Sequence, residues 1–153
     1  MGVIILIKWH LKTYDELTKA DLWAILSARI STFVVEQERP YQEADHLDHV
    51  ALHLWAEEDG EVLAYARMYE ENDYISFGRV LTASKARGQG LGKQLVEHIL
   101  SSIQKHYDNP TITIHAQADK ELFYEKFGFK AISEVFTYHH TPHITMTMNV
   151  QKN

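Results

Sequence analysis

Residues 80–92 read Val-Leu-Thr-Ala-Ser-Lys-Ala-Arg-Gly-Gln-Gly-Leu-Gly, between a run of strand character and a run of helical apolar spacing. Position is more informative here than the glycines themselves. Free backbone N–H groups at a helix N-terminus, with the dipole behind them, form an anion site, and Gly88, Gly90 and Gly92 let a pyrophosphate approach without a Cβ in the way. Arg87 adds fixed positive charge, and Gln89 and Leu91 belong to the same turn. An ordinary strand-to-helix turn with a packing glycine would use the same residues. Two other phosphate loops do not fit. A Walker loop needs Ser or Thr after Gly-Lys, where Gly92-Lys93 is followed by Gln94, and a dinucleotide fingerprint needs Gly-x-Gly-x-x-Gly, whereas these glycines recur at every second position.

A chain of 153 residues with 45% apolar and 11% aromatic side chains can bury a substantial core, and one domain over 1–153 is the expectation. Cysteine is absent, which excludes disulfides, thiolate metal sites and a cysteine nucleophile, and the cytoplasm is the expected compartment. The formal net charge of −6 argues against general nucleic-acid affinity. The apolar run 3–7 lacks the basic flank and small-residue cleavage site of a leader and reads as a first strand within 1–9; no run is long enough for a membrane helix.

The elements that must position the turn follow from periodicity. Thr18 to Asp21 is a capping signal ahead of helical spacing at Leu22, Ile25, Leu26, Ile30 and Phe33, so a helix is expected over 18–33. Runs 51–57 and 62–70 flank Asp59-Gly60, a hairpin signal, and 74–82 continues the meander. Leu91, Leu95, Val96, Ile99, Leu100 and Ile103 predict a helix over 90–107, stopped before Asn109-Pro110. Then come a strand at 111–116, a helix at 119–127 ended by Gly128, and strands at 129–138 and 143–150. The fold class is mixed α/β, a central mixed sheet of about seven strands flanked by helices, with 74–82 and 111–116 parallel because a helix crosses between them.

With Arg87, Gly90 and Gly92 the turn resembles the signature of the GNAT superfamily of acyl-CoA-dependent N-acyltransferases, Arg or Gln, two residues, Gly, one residue, Gly or Ala. A second marker of that family, an aromatic-Tyr pair before Gly-Phe, is matched by Phe123-Tyr124 and Gly128-Phe129. The order of elements is also similar along nearly the whole chain. A narrower similarity is to the ElaA-type branch, through Val35-Glu36-Gln37 before Pro40-Tyr41, Glu43, Asp45 and Asp48, Ala116-Gln117-Ala118, and Pro142-His143. The chain departs from that branch at 138–141, Tyr-His-His-Thr, where the branch has an acidic residue and Gly-Ile.

The resemblance implies acetyl-CoA as co-substrate and an amine as acceptor, with pantetheine along 74–82 at Val80, Leu81 and Thr82, and with Gln117 near CoA. A homodimer is open to such a chain. Tyr124 becomes the candidate general acid, since a phenol of pKa about 10 can protonate a thiolate leaving group of pKa about 8.5. Packing beside Phe123 and Phe127 is the other reading of Tyr124. For the base, Glu36, Asp48, His49 and His53 lie on the segment leading into the central strands, and a solvated or structural role competes for each. His139, His140 and His143 read as loop histidines rather than a zinc set, with no metal expected, and His143 lines the acceptor site by likeness to the branch. Five carboxylates at Glu36, Glu38, Glu43, Asp45 and Asp48 suggest a patch that draws a cationic acceptor, against a solvated loop. A CoA-binding sensor without turnover, or a protein-interaction domain with no CoA affinity, would be built on similar residues.

Overall fold

The structure, a computed structural model, describes residues 6–150. Strand β1 is Lys8–Thr13, later than the run 3–7 suggests, and residues 3–5 of that run lie outside the described residues. The shift follows the period of two: Trp9 and Leu11 pack on the core, while Leu6 is 72% exposed. Helix α1, Lys19–Arg29, starts as expected, with the Thr18 hydroxyl accepting from Asp21 N–H and the Asp21 carboxylate from Thr18 N–H. It then widens into a π-helical segment, Ile30–Glu36, which extends the expected helix by three residues and ends at Glu36 and Gln37. A short helix α2, Leu47–Val50, leads into the meander β2 Leu52–Glu58, β3 Glu61–Glu70 and β4 Ile75–Thr82, turned at Asp59-Gly60 with both residues at positive φ.

Helix α3, Leu91–His106, crosses to β5, Thr111–Gln117, followed by α4, Glu121–Glu125. The expected strand 129–138 is instead two short pieces, β6 Lys130–Ala131 and β7 Phe136–Tyr138, both paired to β8, Thr141–Asn149. Ser133 breaks the run, its hydroxyl accepting the Thr145 N–H that a continuous strand would have bonded through its backbone. The mixed sheet has eight strands among the described residues, in the order β1-β2-β3-β4-β5-β8-β6 with β7 also on β8.

Both faces of the sheet are covered, and residue parity sorts them. Leu54, Ala56, Ala64, Ala66 and Met68 face α3, whose Leu91, Leu95, Val96, Ile99 and Ile103 pack closely because the central positions are alanine. Trp55, Tyr65 and Leu81 point the other way, toward Ile25 of α1 and Phe33. No helix is long and apolar enough to cross a membrane among the described residues.

Candidate active site

Strands β4 and β5 are parallel but pair only at Ile75↔Ile112, near their starts. Running on in the same direction they separate, and a cleft of about 1170 Å³ opens between their C-terminal ends. Its lining includes Val80, Leu81, Thr82, Arg87, Gly92, Gln117 and Tyr124. Gly88, Gln89, Gly90 and Leu91 stand outside that lining, in the turn that follows Arg87.

A bulge shapes the β4 wall. Between Tyr65↔Leu81 and Arg67↔Gly78, β4 takes one residue more than β3, and Arg79 within it sits at φ 53°. The extra residue loosens β4 from its partner at the depth where the cleft opens. Toward the end of β4, Ala83 N–H bonds Leu63 O, so the next pair, Ala64↔Thr82, is of the type that turns its peptide groups away from the partner strand. Thr82 therefore offers its backbone to the cleft side, while Leu81 pairs back to Tyr65.

The glycine turn has the geometry an anion site needs. Gly90, at φ 78°, is the residue preceding the first turn of α3, and a Cβ at Gly88 or Gly90 would meet nothing within 4 Å. Gly92 is different: its Cβ would touch Thr82 Oγ1 at 3.7 Å and Phe123 Cζ at 4.0 Å, so this glycine also serves packing. Arg87 is turned back, Nε donating to Thr82 O at 3.0 Å and Nη1 to Glu36 Oε1 at 2.5 Å, which ties the π-helical end to the cleft mouth. Glu36 is thereby half exposed and ion-paired, not a free base.

Tyr124 is 6% exposed and packed between Phe77, Phe123 and Phe129. Burial pushes its phenol well above the ordinary range, so it keeps its proton at any physiological pH. Packing and cleft lining are both true of this residue. Gln117 Nε2 donates to Gln37 Oε1 at 3.4 Å, and the same oxygen accepts from Arg39 Nη1 at 3.2 Å.

The acidic segment is where the structure departs most from expectation. Glu43 and Asp48 are buried, and with Asp45 they are neutralised by arginines from other elements. Arg29 of α1 bonds Glu43 at 2.7 Å and Asp48 at 2.7 Å; Arg67 of β3 bonds Asp45 and Asp48 at 2.7 and 2.8 Å; Arg79 at the bulge bonds Glu43 at 3.0 Å. Three carboxylates balance three guanidinium groups, so no negative patch of five remains to draw a cation. The segment holds Arg79 in its unusual backbone conformation instead. Sequence reading missed this because the partners lie 14 to 36 positions away, although the glycine at 78 inside a strand run is the local signal for a bulge.

Burial opposes ionisation of Asp48, yet hydrogen bonds from Arg29 and Arg67 outweigh it and hold the carboxyl at about 2. Its folded pKa lies below the unfolded value, so its stabilisation, about 2 kcal/mol, is present above pH 4 and lost as pH falls through about 2. Asp48→Asn leaves three guanidinium groups, two of them buried, with two carboxylates and is expected to cost about 3 to 5 kcal/mol in urea denaturation at pH 7. It should also flatten the acid limb of stability between pH 4 and 2.

None of the four base candidates faces the cleft as a free base. His53 is fully buried: Nε2–H donates to Asp48 O at 2.9 Å, which leaves Nδ1 to accept from the Tyr65 hydroxyl at 2.7 Å. His49 is exposed and lies against Tyr14. His143 is placed differently. It lines the cleft, 6% exposed, in register with Gln117 of β5. Its Nδ1–H donates to Thr141 O at 2.8 Å, so Nε2 carries the lone pair. Burial, with smaller contributions from Arg39, His115 and His139, pushes its pKa below the ordinary value and keeps it neutral at pH 7. His139 and His140 form the β7–β8 turn, both at positive φ.

Residues 15–150 match the family described as acetyltransferase (GNAT) domain. Protein ElaA of Escherichia coli K12 is 33% identical over 150 residues, 95% of this chain and 98% of that protein. A UPF0039 protein of Synechocystis is 34% identical over 96% of this chain and 98% of its own. Among solved structures, an acyl-CoA N-acyltransferase from Pseudomonas aeruginosa superposes with a TM-score of 0.89 at 39% identity, over 93% of this chain and 99% of that one.

Proposed function

The chain belongs to the GNAT acetyltransferase family, and from that premise we propose that it is an N-acetyltransferase, moving the acetyl group of acetyl-CoA to a primary amine of a small molecule or peptide by direct attack. The observation that carries this reading is that one cleft holds both a neutral phenol, Tyr124, and a neutral imidazole, His143, and opens beside a glycine turn with room for a pyrophosphate. Bound acetyl-CoA supplies the activated thioester. The N–H groups of residues 88–92 and the α3 dipole hold its pyrophosphate, with Arg87 exchanging Glu36 for phosphate oxygens. Backbone groups of Val80 and Thr82 align the pantetheine, and Gln117 borders it.

His143 Nε2 takes the proton from the attacking amine, whose lone pair forms the new C–N bond. A backbone N–H freed by the bulge faces the carbonyl oxygen as negative charge builds there, a contribution of about 3 to 4 kcal/mol in comparable sites. As the C–S bond breaks, Tyr124 donates its proton to the sulfur. The imidazolium and phenolate then return to neutral by proton exchange through solvent. A chain without cysteine has no thiol to compete for the acetyl group, and the cytoplasm, where acetyl-CoA is made and used, is the compartment we assign.

Acetyl-CoA at a hundredfold excess over its dissociation constant should stabilise the protein by about 2.7 kcal/mol, a rise of roughly 5 to 10 °C in Tm. Gly90→Val is expected to abolish that rise, because its side chain fills the phosphate space. The variant also forces a β-branched residue to positive φ, and Gly60→Val controls for this: Gly60 has φ +79° and open space around it, in the β2–β3 turn. Gly60→Val should lower Tm similarly and keep the ligand-induced rise. A rise retained by Gly90→Val would remove the turn from the CoA site.

A further inference from the structure

We infer that the acceptor amine carries a carboxylate, and that Arg39 is the residue that holds it; the inference rests on the acetyl-transfer reading and names its substrate class. Four arginines line the cleft, and three have carboxylate partners: Arg67 has Asp45 and Asp48, Arg79 has Glu43 and Asp45, and Arg87 has Glu36. Arg39 has none among the described residues. It is 8% exposed, and its bonds go to neutral groups: Nε to His139 O at 3.1 Å, Nη1 to Gln37 Oε1 at 3.2 Å and Nη2 to Tyr138 O at 3.5 Å. A guanidinium has five N–H donors, so one on each terminal nitrogen is left over. A buried cation without a counter-charge is costly, and a bound anion would remove that cost.

The location fits the acceptor rather than CoA. Arg39 lies over the Tyr41 ring at 4.9 Å, and Arg79 of the bulge lies over the same ring at 5.6 Å, so one aromatic ring links it to the wall where the acetyl group would stand. The carbonyls it holds are those at the end of β7 and in the turn to β8, and the Tyr138 ring is 5.3 Å from that of His143. The glycine turn, where the pyrophosphate would sit, begins beyond Thr82, with Arg87 as its own cation. A planar two-donor fork matches a carboxylate. The same charge disfavours a polyamine, which would bring a second cation up against the Arg39 guanidinium.

The test uses the purified full chain and measures thiol release from acetyl-CoA with α-, β- and γ-amino acids, their amides, and a polyamine. The parent protein is expected to favour one spacing of amino acid over its amide by about 10- to 100-fold in kcat/KM, the range for hydrogen bonds between charged groups. Arg39→Gln should bring that ratio close to one, and Arg39→Lys, which keeps the charge without the fork, should fall between. The acetyl-CoA-induced rise in Tm shows that each variant is folded and loads. Amides or the polyamine used as well as the acids by the parent, or an unchanged ratio in Arg39→Gln, would overturn the inference; should that variant not fold, the parent's ratio and Arg39→Lys decide. If no amine releases thiol although acetyl-CoA binds, acetyl transfer to these amines fails separately. Binding then decides Arg39: an N-acetylated amino acid should raise the Tm of the CoA-loaded protein and its amide should not, and equal or absent rises overturn the assignment.

Discussion

Replacing Tyr124 with Phe is expected to lower turnover by about 10²- to 10⁴-fold while the acetyl-CoA-induced rise in Tm persists. The ring is fixed by edge contacts with Phe123 and Phe129 and a tilted one with Phe77, all of which Phe would keep. The hydroxyl forms no hydrogen bond among the described residues, so its removal orphans no partner there and should change stability little. What disappears is the proton that burial holds on the oxygen. A leaving thiolate in a dry cleft without that donor must depart with its full charge, and the barrier rises by the amount the donor supplied. Thiol release under saturating acetyl-CoA measures the effect. A variant that unfolds more easily yet turns over at the parent rate per folded molecule would make Tyr124 a packing residue only.

The parts of this site that were legible from sequence are those written in local pattern. Thr18 and Asp21 cap their helix, Asp59-Gly60 turns its hairpin, and Gly88 and Gly90 adopt the positive φ that a phosphate turn uses. Tyr124 arrives in the cleft because a 3-10 turn at 118–120 and the five-residue α4 carry the chain back there after β5. The parts that stayed hidden depend on pairing at a distance. Glu43, Asp45 and Asp48 look like a surface charge run until Arg29, Arg67 and Arg79 are brought against them, which cancels the expected negative field. His143 looks like one of several loop histidines until the Thr141 carbonyl fixes its tautomer. Even the broken strand at 129–138 has a side-chain cause, the Ser133 hydroxyl standing in for a backbone acceptor.

His143 carries the other large effect. His143→Gln is expected to reduce kcat by about 10²- to 10⁴-fold, because glutamine can fill similar space but cannot take a proton from an amine. The pH dependence gives the sharper result, and its sign follows from the groups around the ring. Burial comes first, and Arg39, His115 and His139 add positive charge; together they outweigh the Thr141 carbonyl, which favours the imidazolium. The folded pKa therefore lies below the ordinary histidine value of about 6.5, and the neutral form predominates at pH 7. With amine saturating, kcat should be flat near neutrality and fall only below that lowered value, and the limb should vanish in His143→Gln. Loss of fold must be separated from loss of base over the same range. His53, buried neutral, also has a lowered pKa, so stability too declines as pH falls below its unfolded value and on through the folded one. Holding temperature well below Tm at each pH isolates the catalytic limb. If the limb keeps its inflection in His143→Gln, another group in the cleft removes the amine proton.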